Sequence, residues 1–109
     1  MAFSRDYTGR LVTSAFVLLE FADGCDTLPH RRAIVRQAID ELRNNSNVVI
    51  HPCTDELFQE GWSLYEQRPD KEWSLTDCIS FVVMQSQRIT EALTGDRHFE
   101  QAGFSALLR

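Results

Sequence analysis

Short apolar runs of strand length alternate with stretches of helix length from Arg10 to Leu107, and that alternation restricts the chain to few architectures. The clearest run is Val48-Val49-Ile50, β-branched throughout and closed by Pro52, which reads as a strand buried on both faces. Before it, residues 10–13 form a short extended entry. Thr13 and Ser14 are then N-cap candidates for a helix through Phe16, Val17, Leu19, Glu20 and Phe21 that ends near Gly24. Pro29 suits the first position of a second helix. There Ile34, Val35, Ala38, Ile39 and Leu42 recur at helical spacing, and Arg31, Arg32, Arg36 and Arg43 populate the other face. Thr54 or Asp55 caps a third helix presenting Leu57, Phe58, Gly61, Trp62 and Tyr65. Ser74 opens a fourth, carried by Cys78, Phe81, Val82 and Met84. A strand over residues 91–94, a turn of helix over 99–102 and a last strand over 104–107 complete the chain. Helices alternating with short buried strands predict an α/β domain with a mainly parallel sheet flanked by helices. Ligand sites in such sheets gather at the carboxyl ends of the strands.

Composition narrows the function classes. At 109 residues the chain makes a single domain, 1–109, with residues 1–10 expected to be irregular. Its 43% hydrophobic and 25% charged residues are those of an ordinary globular protein, which excludes intrinsic disorder. The run from Ala15 to Leu19 is cut by Glu20, far short of the roughly 20 apolar residues of a membrane span. No secretory signal is visible near Met1, so a cytoplasmic location is expected. A net charge of -5 and a pI near 5.1 argue against binding nucleic acid by bulk electrostatics. They leave room for an enzyme whose acids hold metal cations, the cations then facing a phosphate backbone. Cys25, Cys53 and Cys78 are odd in number and lack a Cys-x-x-Cys pair, so they read as reduced thiols.

Three carboxylates stand out. Glu20 interrupts an apolar helix, and a buried carboxylate neutralises, pairs or binds metal; a pair with Arg10 is the plain alternative. Asp77 lies three residues after Ser74, the spacing of a capping box. Asp96 follows Gly95 at a strand end, where an Asp often closes a turn. Each has an ordinary explanation alone. Together they can form a cradle for a hard divalent cation, which relieves their mutual repulsion. His30, His51 and His98 are scattered, and ordinary polar roles are expected of all three.

The stretch Asp70-Lys71-Glu72-Trp73-Ser74-Leu75-Thr76-Asp77-Cys78-Ile79-Ser80-Phe81, then Glu91-Ala92-Leu93-Thr94-Gly95-Asp96-Arg97-His98-Phe99 and Gln101-Ala102-Gly103-Phe104, resembles the PIN domain family, close to its VapC-like ribonucleases of toxin–antitoxin pairs. Leu11-Val12-Thr13-Ser14 leading to Leu18-Leu19-Glu20 is similar to the family's second acidic helix. The resemblance implies a PIN-like three-layer fold and Mg²⁺- or Mn²⁺-dependent RNA cleavage. It also implies Glu20, Asp77 and Asp96 as catalytic metal ligands, with Ser74, Thr76 and Arg97 as candidates for substrate contact. The implied chemistry is in-line attack of metal-activated water on a phosphodiester. RNA and an antitoxin protein are the implied partners.

One element of the family pattern is missing. Family members begin with a strand reading roughly Val-Asp-Thr-Ser-Ala, and nothing before Leu11 matches it. Asp6 lacks a preceding β-branched run and is not assigned the role of that strand's acid. Loss of the strand predicts two unpaired sheet edges, which favours a homo-oligomer, with a dimer expected. The alternative to an impaired ribonuclease is therefore a catalytically inactive PIN-like module for dimerisation or partner binding.

Overall fold

The computed structural model describes residues 2–25 and 28–108. In chain order its elements are β1 (Phe3–Arg5), β2 (Leu11–Ser14), α1 (Ala15–Gly24), α2 (Pro29–Asn44), β3 (Val48–His51), α3 (Asp55–Gln67), α4 (Leu75–Ser86), β4 (Glu91–Leu93), α5 (Arg97–Gln101) and β5 (Ser105–Ala106). Local chemistry sets the helix starts. Ser14 Oγ accepts from the Val17 amide, and Thr54 Oγ1 accepts from the Leu57 amide. Pro29 occupies the start of α2, where its missing N–H leaves nothing unsatisfied. The fifth helix starts at Arg97, earlier than its hydrophobic pattern suggests, because Asp96 caps it. Among the described residues no helix is long and apolar enough to cross a membrane.

The five strands form one sheet in the order β3-β2-β1-β4-β5. Strand β2 pairs parallel with β3, and β4 pairs parallel with β5. Strand β1 runs antiparallel to both β2 and β4, so four strands share one direction and the central one opposes them. This is the expected α/β class with a mainly parallel sheet. The expectation for residues 1–10 is corrected: Phe3–Arg5 is a strand at the centre of the sheet, while Met1 lies outside the described residues. The two inner edges expected to be open are therefore both filled. With them goes the reason given for a dimer.

The reversed direction of β1 follows from the length of its connection. Residues 6–10 are enough for a hairpin, whereas a parallel partner needs a crossover of about a dozen residues. The turn is well held. The Asp6 amide donates to the Arg10 carbonyl, the Gly9 amide donates to the Asp6 carbonyl, and Gly9 takes a positive φ of 87°. Ser4, buried in the middle of β1, donates its hydroxyl to the Val12 carbonyl, and Thr13 does the same to Ala2. At the other end Arg5 pairs with Glu91 across β1 and β4.

Asp6 is the electrostatic anchor of this turn. The Thr8 hydroxyl is the main cause that lowers its pKa to about 2; burial opposes it, and the Arg10 amide, the Arg10 guanidinium and the Thr8 amide add to the lowering. The folded carboxyl thus titrates below its ordinary value of 3.8, so its contribution is complete above about pH 4 and disappears as pH falls through about 2. An Asp6→Asn variant is expected to unfold more easily than the wild type at pH 5. In denaturant titrations repeated down to pH 2, that difference should shrink steadily.

A second correction concerns β3. It sits at the sheet edge and all four of its residues are half-buried, so it is not covered on both faces. The last strand is also shorter than expected, at Ser105–Ala106. The core gathers Val12, Trp73, Cys78, Phe81, Val83, Met84, Ile89, Ala92 and Phe99, most of them from α4 and its flanks. Phe81 is 0% exposed and meets Trp73 and Phe99 edge-to-face, at centroid distances of 5.0 and 4.9 Å. Helix α3 lies close to α4 because Gly61 has no Cβ to strike Ile79. All three cysteines are free, and burial raises the pKa of the Cys78 thiol.

Candidate metal centre

Two of the three acids singled out in the sequence meet at the carboxyl end of β4. Asp77 is in the first turn of α4, held by a reciprocal capping box. Its amide donates to Ser74 Oγ at 3.0 Å, and its Oδ2 accepts from the Ser74 amide at 3.2 Å. Asp96 caps α5, its Oδ1 accepting from the His98 amide at 2.9 Å, while its own amide donates to Thr94 Oγ1. The next residue but two, Phe99, is buried against Phe81 of α4. That ring contact ties the start of α5 to α4 and brings the two acids together.

The capping role expected of Asp77 and a metal-binding role are compatible, because a carboxylate has acceptor capacity beyond the one hydrogen bond used. The third member of the group is His98. Its Nδ1 lies 3.4 Å from Asp77 Oδ2 and 3.3 Å from Asp96 Oδ1. Donor atoms of Asp77, Asp96 and His98 all fall within 4.8 Å of one another. The side chains are 18%, 39% and 20% exposed, so the centre opens to solvent on the Asp96 side. Nδ1 itself is sealed from solvent and makes no hydrogen bond, its polar neighbours being the two carboxylates.

Two carboxylate charges within that distance repel by at least about 3.5 kcal/mol at an effective dielectric of 20. The hydrogen bonds each receives contribute about 1 kcal/mol apiece, which offsets the repulsion without reversing it. A cation reverses it. The donor set, two carboxylate oxygens and an orphaned imidazole nitrogen, suits a divalent ion.

Glu20 is placed elsewhere. It is exposed on α1 and is not part of the group, contrary to the expectation that it is withheld from water. Helix α1 buries Val17 and Leu18 and leaves Leu19 and Glu20 in solvent, because only one of its sides is covered. Arg10, its suggested partner, pairs with Asp6 instead. Asp6 is at the opposite end of the sheet, beyond the carboxyl end of the reversed β1, with its carboxylate taken up by Thr8 and Arg10. The central strand therefore brings no carboxylate to the centre. Its start, with Ala2 and Phe3, lines a small cleft there with Ser14, Ser80 and Phe99.

Of the residues considered for substrate contact, Ser74 has its hydroxyl in the cap and Thr76 is half-buried. Arg97 is 64% exposed beside Asp96, with Glu72 as a distant partner at 4.0 Å. An exposed pair of that length holds its members weakly, which leaves the guanidinium free to meet a phosphate. The sequence alone suggests only an ordinary polar role for His98. Its signal was the spacing Asp96-x-His98 at a helix start, which places the imidazole beside the capping carboxylate.

Three comparisons bear on this geometry. A model of the PIN domain matches residues 2–105. The 23S rRNA-specific endonuclease VapC20 of Mycobacterium tuberculosis, from strains CDC 1551 / Oshkosh and ATCC 25618 / H37Rv, is 32% identical over 75 residues. The match covers 69% of this chain and 55% of each relative, so the chain spans little more than half the length of these curated relatives. The crystal structure of M. tuberculosis VapC20, described as a Sarcin-Ricin loop cleaving toxin, superposes with a TM-score of 0.73 at 28% identity. That superposition covers 88% of this chain and 72% of the other.

Proposed function

Because this chain belongs to the PIN domain family, we propose that it is a metal-dependent endoribonuclease of the toxin–antitoxin type, with its reacting centre at Asp77, Asp96 and His98. The observation that carries this is the convergence on one point of two carboxylates and an imidazole nitrogen that is closed to solvent and makes no hydrogen bond. Asp77 and Asp96 would hold Mg²⁺ or Mn²⁺. Bound there, the ion supplies an acidified water and neutralises charge developing on a phosphodiester. The chain's own residues do the rest. The capping box and the Phe81–Phe99 contact keep the two carboxylates fixed, and Arg97 engages the RNA backbone from the exposed side. Glu20, on the neighbouring helix, is the third acid that the family pattern implies. The substrate is RNA, and a structured 23S rRNA stem-loop of the kind named for the relatives is the first to test. In this reading the protein acts in the cytoplasm and is restrained by an antitoxin protein.

A second reading has one observation in its favour: β1 carries no carboxylate to the centre. It makes the chain an inactive partner-binding module. The deciding experiment incubates the full chain with a 23S rRNA stem-loop and Mn²⁺ or Mg²⁺. Cleavage that stops with EDTA and returns with excess cation is the expected result. Uncut RNA across the whole cation range overturns the ribonuclease and leaves the module.

A further inference from the structure

We infer that His98 is a nitrogen ligand of the cation centre and that it biases the centre towards Mn²⁺ over Mg²⁺, an inference that rests on the metal-dependent reading above. Three features of His98 support it. Its Nδ1 is closed to water yet has no hydrogen-bond partner, a condition that folded proteins seldom leave uncompensated. That atom faces both acids, at 3.3 and 3.4 Å. With the two carboxylate oxygens and Nδ1 all within 4.8 Å of one another, Asp77, Asp96 and His98 would together hold a single divalent ion. Finally, the ring is held where it is: the His98 amide is bound by Asp96, and the adjacent Phe99 is locked into the core.

The alternative is an imidazolium that pairs with both acids at the same 3.3 and 3.4 Å, and nitrogen coupling on bound Mn²⁺ separates it from a ligand. The preference among cations follows from ligand chemistry. Mg²⁺ demands oxygen ligands and sheds water reluctantly, whereas imidazole raises affinity for first-row transition ions. An all-carboxylate cradle would discriminate much less between them.

The test measures cation binding by the intact chain, with each metal salt alone and without RNA. Binding of Mn²⁺ is followed by electron paramagnetic resonance and that of Mg²⁺ by competition. His98→Ala is expected to weaken Mn²⁺ binding by roughly 10- to 100-fold, the range seen when groups supporting a metal site are lost, and Mg²⁺ binding by less than about threefold. Nitrogen hyperfine coupling on bound Mn²⁺ should be present in the wild type and absent from the variant. If His98→Ala fails to fold, His98→Gln, which keeps bulk and polarity, is read in the same way. Equal weakening of both ions, or nitrogen coupling that survives the substitution, overturns the inference and leaves the carboxylate centre intact. Unchanged Mn²⁺ binding in Asp96→Asn refutes the centre itself, so the two failures are distinct.

Discussion

Replacing Asp96 with asparagine is expected to abolish cation-dependent stabilisation while leaving the metal-free protein at least as stable as the wild type. The two halves of that result have different origins. Asparagine caps helices as well as aspartate does, so the bond from the His98 amide survives. The substitution also removes one of two charges that repel across the centre. In EDTA the variant therefore melts at or above the wild-type temperature. With Mn²⁺ at 100 times its Kd, the wild type gains about 2.7 kcal/mol and the variant gains little, so the order of stabilities reverses. RNA cleavage in the variant should fall by roughly 100-fold or more, since loss of groups that only support metal ligands already costs about 10- to 100-fold. Calorimetry with and without Mn²⁺, paired with single-turnover cleavage, checks both parts. A variant that is destabilised in EDTA and still gains from Mn²⁺ would show Asp96 to be a cap and nothing more.

The largest effect on stability is expected from Phe81→Ala. The ring is wholly buried and touches Trp73 and Phe99 edge-on, with Phe104 at 5.7 Å. Truncation leaves a cavity on the face where α4 meets α5, and such substitutions cost about 3–5 kcal/mol. A domain of this size has on the order of 5–15 kcal/mol in all, so much of the population would unfold under mild denaturant. The urea midpoint should drop sharply with the slope unchanged, while Tyr7→Ala, at a fully exposed position, should stay within about 0.5 kcal/mol of wild type. Because Phe81 also seats Phe99, any folded remainder of the Phe81→Ala protein should bind Mn²⁺ less tightly.

The helix starts at Ser14, Thr54 and Ser74 are legible in the sequence because a cap is settled within four residues. Asp77 is legible for the same reason and Asp96 by its place after Gly95 at a strand end, although its capping of α5 is not, and their meeting is implied by the resemblance of two adjacent motifs. Strand β1 is illegible. Phe-Ser-Arg has no periodicity, and its place depends on a gap between β2 and β4 that only the assembled sheet creates. Val48-Val49-Ile50 misleads because β-branched residues mark a strand without saying how many neighbours it has, and β3 has one. Glu20 misleads for a related reason. A helix that looks apolar all round is judged by composition, whereas burial depends on which neighbours arrive, and among the described residues none covers Glu20. His98 was hidden by its number among three histidines, although its distance from Asp96 set it apart.

The opposed direction of β1 has a practical corollary for anyone attaching something to this protein. Ala2 lies beside Thr13 and Leu93, and the Leu108 amide reaches the Thr94 carbonyl, so the described residues begin and end on the side of the molecule that carries Asp96. A purification handle or fluorophore fused to either end would crowd the open side of the Asp77, Asp96 and His98 centre, where the proposed RNA substrate would have to approach. The fully exposed Tyr7 of the hairpin bend and the exposed Ser46, at the far pole, are the safer points of attachment.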